Sequence, residues 1–298
     1  MKGIRTSSLF HYTNYHTLKQ IIRTGLYPNY CAEDIRFDWS LNQKGELIGI
    51  PMVSFCDIPL GRIDEFADRY GYCAIGLKKT WADNKAINPV FYAKDSSIFS
   101  AFNSMAFVAR QLQYKSQMLD DNVDLKDIYR YPEQTYYALL RKHLVEGTLP
   151  LLGYVKKYLG VRVTTKKDGK KTKKSQDNYL ENEWRYIIPE NHDLKWLWGE
   201  TEYNKWRGDR GKPKPSPTNL LKNYTLSFTV DDISFIIVKT EEQVNKMISW
   251  IASVKSVGGK QICPMEVTDL QERNSRFEIA RRKLISKVIS LERIRKDY

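Results

Sequence analysis

The sequence predicts an α+β fold, and three observations carry that reading. Short runs rich in β-branched and aromatic residues, "SLFHYTN", "YCAIGLKK" and "ISFIIVK", read as strands. Runs with apolar residues at helical spacing, such as "TLKQIIRTGL" and "TEEQVNKMISWIASV", read as amphipathic helices. The two kinds intermix without the regular strand–helix–strand rhythm of a parallel sheet.

Taken in order, "SLFHYTN" is the first strand. The helix "TLKQIIRTGL" follows, with Leu18, Ile21 and Ile22 on one face. Thr13, Asn14 or Thr17 can cap its start, and Gly25 with Pro28 beyond ends it. "IPMVSFCDIPL" is a buried strand punctuated by prolines. "GRIDEFADRYG" is a short helix ending at Gly71. "YCAIGLKK" and "NPVFYAK" are strands, the second with Pro89 near its start, where proline is tolerated. From about Ser96 to Leu151 two long helices are expected, "FSAFNSMAFVARQLQYKSQML" and "EQTYYALLRKHLVEG". "VRVTTKKDGKKTKKSQDN" reads as an exposed, mobile loop bearing Lys166, Lys167, Lys170, Lys171, Lys173 and Lys174. "YLENEWRYII" is a strand, "GDRGKPKPSPTN" a long loop, and "YTLSFTV" and "ISFIIVK" two more strands. Thr240 caps the helix "TEEQVNKMISWIASV". The terminal "RNSRFEIARRKLISKVISLERIRKDY" reads as one basic amphipathic helix.

With 298 residues, 42% of them hydrophobic, the chain can bury a substantial core. Its net charge of +13 points to an anionic partner, of which nucleic acid is the commonest. The four cysteines form no C-x-x-C pair, so reduced thiols are expected rather than zinc or redox chemistry. The first residues lack an apolar leader, and no apolar run approaches a membrane span. A cytoplasmic protein with no membrane contact is expected.

The candidate chemistry centres on Glu181 and Glu183. In a strand, residues i and i+2 share a face, here about 7 Å apart. A half-exposed strand would show the same alternation, and that plain reading is favoured by the pattern alone. The chemical reading is that one carboxylate stabilises an oxocarbenium-like transition state while the other orients a nucleophile. His11, in "FHYT", can donate a hydrogen bond to a ligand hydroxyl, although such a histidine is more often structural. No phosphate-cradling glycine motif, nucleophile elbow or H-E-x-x-H is present, which disfavours kinase, Rossmann, α/β-hydrolase and metalloprotease readings. A phosphodiesterase would need two H-x-T motifs, and only "HYT" is found.

"LFHYTNYHTLKQIIRTGLYPNYC" and "IPMVSFCDIPLGRIDEFADRYGYCAIGLKKTWADNKAINPVFYAK", joined later by "ENEWRYIIP" and "ISFIIVKTEEQV", strongly resemble the AbiGi family of phage abortive-infection proteins. That family is similar in motif order to the ADP-ribosyltransferase fold. A histidine in the first strand precedes a helix ending "GL"; a serine- or aromatic-bearing strand comes next, and a glutamate strand comes late.

The resemblance implies one domain over residues 1–298 with a split β-sheet core. A helical insertion would span about 96–158, a basic acceptor loop about 164–178 and a C-terminal basic helix about 271–298. NAD would be the cosubstrate, with no metal. His11, Tyr12, Thr13 and Ser54 would hold it, and Tyr70 or Tyr72 would stack on the nicotinamide. Glu183 would stabilise the oxocarbenium ion and Glu181 would position or activate the acceptor. The lysines at 166, 167, 170, 171, 173 and 174 would hold nucleic acid, RNA ahead of DNA. The implied function is that of a phage-defence toxin, a mono-ADP-ribosyltransferase acting on RNA and restrained by a cognate antitoxin protein. A protein acceptor, or a catalytically inactive module that binds RNA or a toxin, are the alternatives.

Overall fold

The computed structural model describes residues 6–34, 47–94, 147–165, 171–190, 193–208, 214–263 and 266–297, with 98, 101 and 104 besides. Its strands are β1 (Ser8–Thr13), β2 (Asn29–Asp34), β3 (Leu47–Cys56), β4 (Cys73–Lys78), β5 (Ile87–Pro89), β6 (Phe91–Ala93), β7 (Val155–Lys157), β8 (Leu159–Thr165), β9 (Lys171–Asp177), β10 (Glu183–Ile187), β11 (Leu197–Trp198), β12 (Ile233–Val238), β13 (Ser256–Val257), β14 (Lys260–Gln261) and β15 (Val288–Ser290). The α-helices are α1 (Tyr15–Thr24), α2 (Ala67–Tyr70), α3 (Lys79–Ala82), α4 (Gly147–Leu152), α5 (Glu200–Arg207), α6 (Asn219–Lys222), α7 (Glu241–Ile251), α8 (Leu270–Ile285) and α9 (Leu291–Asp297). Strands and helices are mixed, as an α+β chain requires.

A nine-stranded sheet dominates, in the order β15–β12–β4–β1–β3–β10–β5, with β2 and β11 also paired to β3. The long β3 is its hinge. Its Met52–Cys56 half pairs with β10, and Cys56 itself meets Phe10 of β1. Its other half pairs with β2 and, at Ile48 and Gly49, with β11. Both faces are covered, so β3 is buried along almost its whole length. One face packs Leu9, Phe55, Val53 and Trp184 against α1 and α7. The other packs Phe10, Cys56 and Tyr12 against Ile63 and Phe66 of the 3-10 turn Leu60–Phe66 and against Leu291 and Ile294 of α9.

Local chemistry explains the first elements. The Asn14 side chain accepts the Thr17 N–H at 2.9 Å and caps α1, which buries Leu18, Ile21 and Ile22. The helix stops at Gly25, whose φ of 86° suits glycine. Thr240 caps α7 by accepting the Gln243 N–H at 3.2 Å. Gly71 (φ 114°) ends α2 where a Cβ would stand 2.4 Å from the Thr13 carbonyl oxygen. Only glycine lets that chain pass β1 so closely.

Several expectations are corrected. The lysine-bearing segment is not a loop where it is described: residues 171–177 form β9, antiparallel to β8, with Lys171 opposite Thr165, Lys173 opposite Val163 and Lys174 opposite Arg162. The alternating "VRVTT" and the Asp168–Gly169 pair were the available hairpin signals. Lys166, Lys167 and Lys170 lie outside the described residues, as do the two long helices expected between Ser96 and Leu151. The insertion is not helical to 158, because β7 follows α4 and pairs in parallel with β6.

The C-terminal segment is two helices separated by β15, which pairs in parallel with β12 at the sheet edge. The β-branched Val288 and Ile289 fit a strand better than a helix there. "YTLSFTV" is not a strand; it contributes only an isolated bridge between Leu226 and Leu26. "GRIDEFADRYG" is mostly 3-10. β2 and α5 were not expected. Among the described residues, no helix is long and apolar enough to cross a membrane.

Candidate functional site

The "ENEWR" stretch does not form one strand. Glu181 ends the 3-10 turn Tyr179–Glu181, Asn182 takes a left-handed φ of 42°, and Glu183 begins β10. Asn is among the few residues that adopt this conformation cheaply. The expected wet face is therefore absent: Glu181 is 1% exposed and Glu183 6%. The two carboxylates converge all the same, because both accept hydrogen bonds from the Lys156 ammonium, at 2.9 and 2.8 Å.

Each carboxylate is richly partnered. Glu181 also accepts from the Tyr70 hydroxyl at 2.7 Å, Gln176 Nε2 at 2.9 Å and Arg69 at 3.3 Å. Glu183 takes both Nε (2.8 Å) and an Nη (3.0 Å) of Arg185, a two-pronged pairing. Arg185 is fully buried and also donates to Glu33 at 2.9 Å and to the Gly153 carbonyl. The Glu183 backbone N–H donates to the Tyr92 hydroxyl at 2.7 Å. Three carboxylates thus meet three cations in one desolvated cluster.

That balance sets the protonation states. Burial by itself would raise the Glu183 carboxyl, but Arg185 and Lys156 outweigh it and hold the group ionised well below the usual carboxylate range. Burial dominates at Glu33 and raises its carboxyl, against the opposing pull of Arg185 and Lys156. Burial also works against the charge on Lys156, but Glu183, Glu33 and Glu181 more than offset it and raise the ammonium. Tyr70 keeps 43% of its surface exposed while its hydroxyl turns inward, and burial there together with the Glu181 anion raises the phenol.

The sequence candidates separate into two groups. Tyr70, Glu181 and Glu183 come together; Tyr12 stands beside them, its ring 6.1 Å from that of Tyr70 and its hydroxyl on the Ile63 carbonyl at 2.7 Å. Ser54 lies opposite Arg185 on the neighbouring strand. Tyr72 is not in the cluster. Its hydroxyl bonds Asp68, and Lys239 covers its ring at 4.4 Å. Of the two tyrosines the sequence left open, Tyr70 is the one at the glutamates.

Thr13 pairs with Cys73 on the far side of β1. His11 is turned to the other face of the sheet, edge-on to Phe55 at 5.9 Å, with Nδ1 2.9 Å from the Ser54 carbonyl oxygen. Burial lowers its pKa, so it is neutral. The sequence reading missed Arg69, Tyr92, Lys156, Gln176 and Arg185. Arg185 alone had a signal, lying two residues after Glu183 and so on its face. Among the described residues no group of His, Cys, Asp and Glu is placed to hold a metal.

The model of a protein family described as the abortive phage resistance protein AbiGi, antitoxin, matches residues 24–239, well over half of the chain. The chain belongs to the AbiGi family. The match includes the middle of the chain, which showed no resemblance on reading, and it takes in Tyr70, Lys156 and both glutamates but not His11. A curated relative, the abortive phage resistance protein AbiGi of Lactococcus lactis subsp. cremoris, is 29% identical over 264 residues, covering 84% of this chain and 89% of the relative. No solved structure matches the chain. Family membership places the chain in phage defence.

Proposed function

We propose that this AbiGi chain acts in phage defence as a mono-ADP-ribosyltransferase, moving ADP-ribose from NAD to nucleic acid, RNA ahead of DNA. One observation carries the reading: two buried carboxylates, Glu181 and Glu183, meet at the start of β10, Glu183 held ionised by Arg185 and Lys156, beside the half-exposed ring of Tyr70. A glutamate held ionised cannot serve as a general acid, but it suits the electrostatic stabilisation of a cationic sugar carbon. In the proposed step the bond from ribose C1′ to nicotinamide breaks, a bond from C1′ to the acceptor forms, and the acceptor's proton leaves to solvent. Glu183 stabilises the positive charge at C1′, and Tyr70 offers its ring to the nicotinamide. Glu181 already accepts four hydrogen bonds, which suits positioning Tyr70 and Arg69 rather than taking a proton.

Labelled NAD incubated with RNA, single-stranded DNA and protein in parallel tests this. Label should enter RNA with the wild type and not with Glu183→Gln, each variant first shown to be folded by circular dichroism. Label in none of the acceptors would defeat the proposal.

A second reading is favoured by a specific observation. Both Glu183 oxygens are engaged by Arg185 and Lys156, and His11 faces away. A transferase-like scaffold whose charges serve only stability would act by binding RNA or a toxin protein, in keeping with the family description as antitoxin. It predicts no NAD turnover and partner binding that Glu183→Gln leaves unchanged.

A further inference from the structure

Next to the glutamates lies a run of aromatic rings that the ion-pair cluster does not use. Tyr179 stacks on Tyr158, with centroids 5.4 Å apart and planes 20° from parallel. Tyr92 meets Tyr179 edge-on at 5.6 Å. The Tyr158 ring carries the Lys94 ammonium at 5.9 Å. These rings would ordinarily be buried, yet Tyr179 is 50% exposed, as is Phe91 on the adjoining strand β6.

The rings are tied to the reactive edge at one end and to the basic hairpin at the other. The Tyr92 hydroxyl holds the Glu183 N–H at 2.7 Å. Tyr179 follows β9 after one residue, its N–H capped by the Asp177 carboxylate at 3.0 Å. β9 begins with Lys171, Lys173 and Lys174 and ends at Asp177, two residues before Tyr179.

We propose that Tyr179 and Tyr158, with Lys94, form a base-stacking platform for single-stranded RNA leading to Glu183. Exposed rings interleaved with cations are how proteins hold single strands without reading sequence, because every base offers a π-face. A net charge of +13 favours a polyanion as the occupant. The orientation of the strand toward Glu183 rests on the transferase reading; the binding itself does not.

The test is fluorescence anisotropy of a labelled single-stranded RNA of about twelve nucleotides, matched to known single-strand site sizes, measured with the full chain and no NAD. Tyr179→Ala should weaken binding roughly 5- to 160-fold, the range for losing one stacked base, with the salt slope unchanged. Lys94→Ala should instead flatten the salt slope by about 0.7. Tyr179 is exposed, so its variant keeps the fold, and Tyr179→Phe should retain most of the affinity. Equal binding by wild type and Tyr179→Ala, or competition by duplex RNA as good as by the single strand, would overturn the platform. If Tyr179→Ala weakens RNA binding while the wild type itself does not turn over NAD, the platform stands and the transferase reading falls.

Discussion

At Arg185 the arithmetic of burial is simplest. It is fully buried and joins Glu183 and Glu33, so removing it leaves Glu183 with Lys156 as its remaining cation and takes the guanidinium from Glu33. Arg185→Met should cost about 3–5 kcal/mol, the usual penalty for breaking a buried pair from one side. A urea titration reads this as a lowered midpoint. Glu183 gives the matching pH dependence. Its folded pKa lies below the unfolded value near 4.3, so its contribution is complete above that value and disappears as pH falls through the folded one. The urea midpoint should hold from about pH 7 to about pH 5 and drop steeply below about pH 4, and Glu183→Gln should drop less steeply. The glutamates themselves were legible as an i, i+2 pair. Their burial was not, because it depends on a lysine contributed from 25 and 27 positions upstream.

At the scale of elements, two joints carry the site. Gly71 lets α2 end against β1 and sets down Tyr70 beside Glu181. Gly71→Ala would force a Cβ against the Thr13 carbonyl at a φ of 114°, costing about 1–3 kcal/mol of backbone strain and displacing Tyr70. A lowered thermal midpoint together with altered tyrosine fluorescence would register both effects. The other joint is β15 with α9. The sequence made this whole segment one basic amphipathic helix; in the structure Ile294 of α9 is buried against the sheet and Lys296 is exposed. Ile294→Ala should therefore lower stability by about 2–5 kcal/mol, whereas Lys296→Ala should leave the unfolding midpoint in place. The strand was missed because its three residues gain strand geometry only by pairing with the open edge of β12.

Across the whole molecule, the positive charge has to be located before it explains anything. The structure puts part of it inside, where Arg185 and Lys156 neutralise carboxylates, and part on β9. Changing Lys171, Lys173 and Lys174 together to serine should reduce the salt slope of RNA binding by about 2, three phosphate contacts at roughly 0.7 each. The buried cations should contribute nothing to that slope. Membership of the AbiGi family sets the biological frame of defence against phage, and the chemistry within it is what the labelled-NAD experiment decides.

The sequence by itself determined what local rules can determine. The cap at Thr240, the stop at Gly25, the apolar face of α1, the strands around "FHYT", "AIGL" and "SFIIV" and the family all follow from residues near one another in the chain, whereas the cap of α1 was narrowed only to Thr13, Asn14 or Thr17. Only the tertiary structure decided which tyrosine meets the glutamates, that His11 faces the opposite side of the sheet, and that Lys156 bridges the pair. Those outcomes depend on strand pairing and on which face each strand presents. A shift of one residue in register reverses the face, and the partners that fix the register lie far apart along the chain.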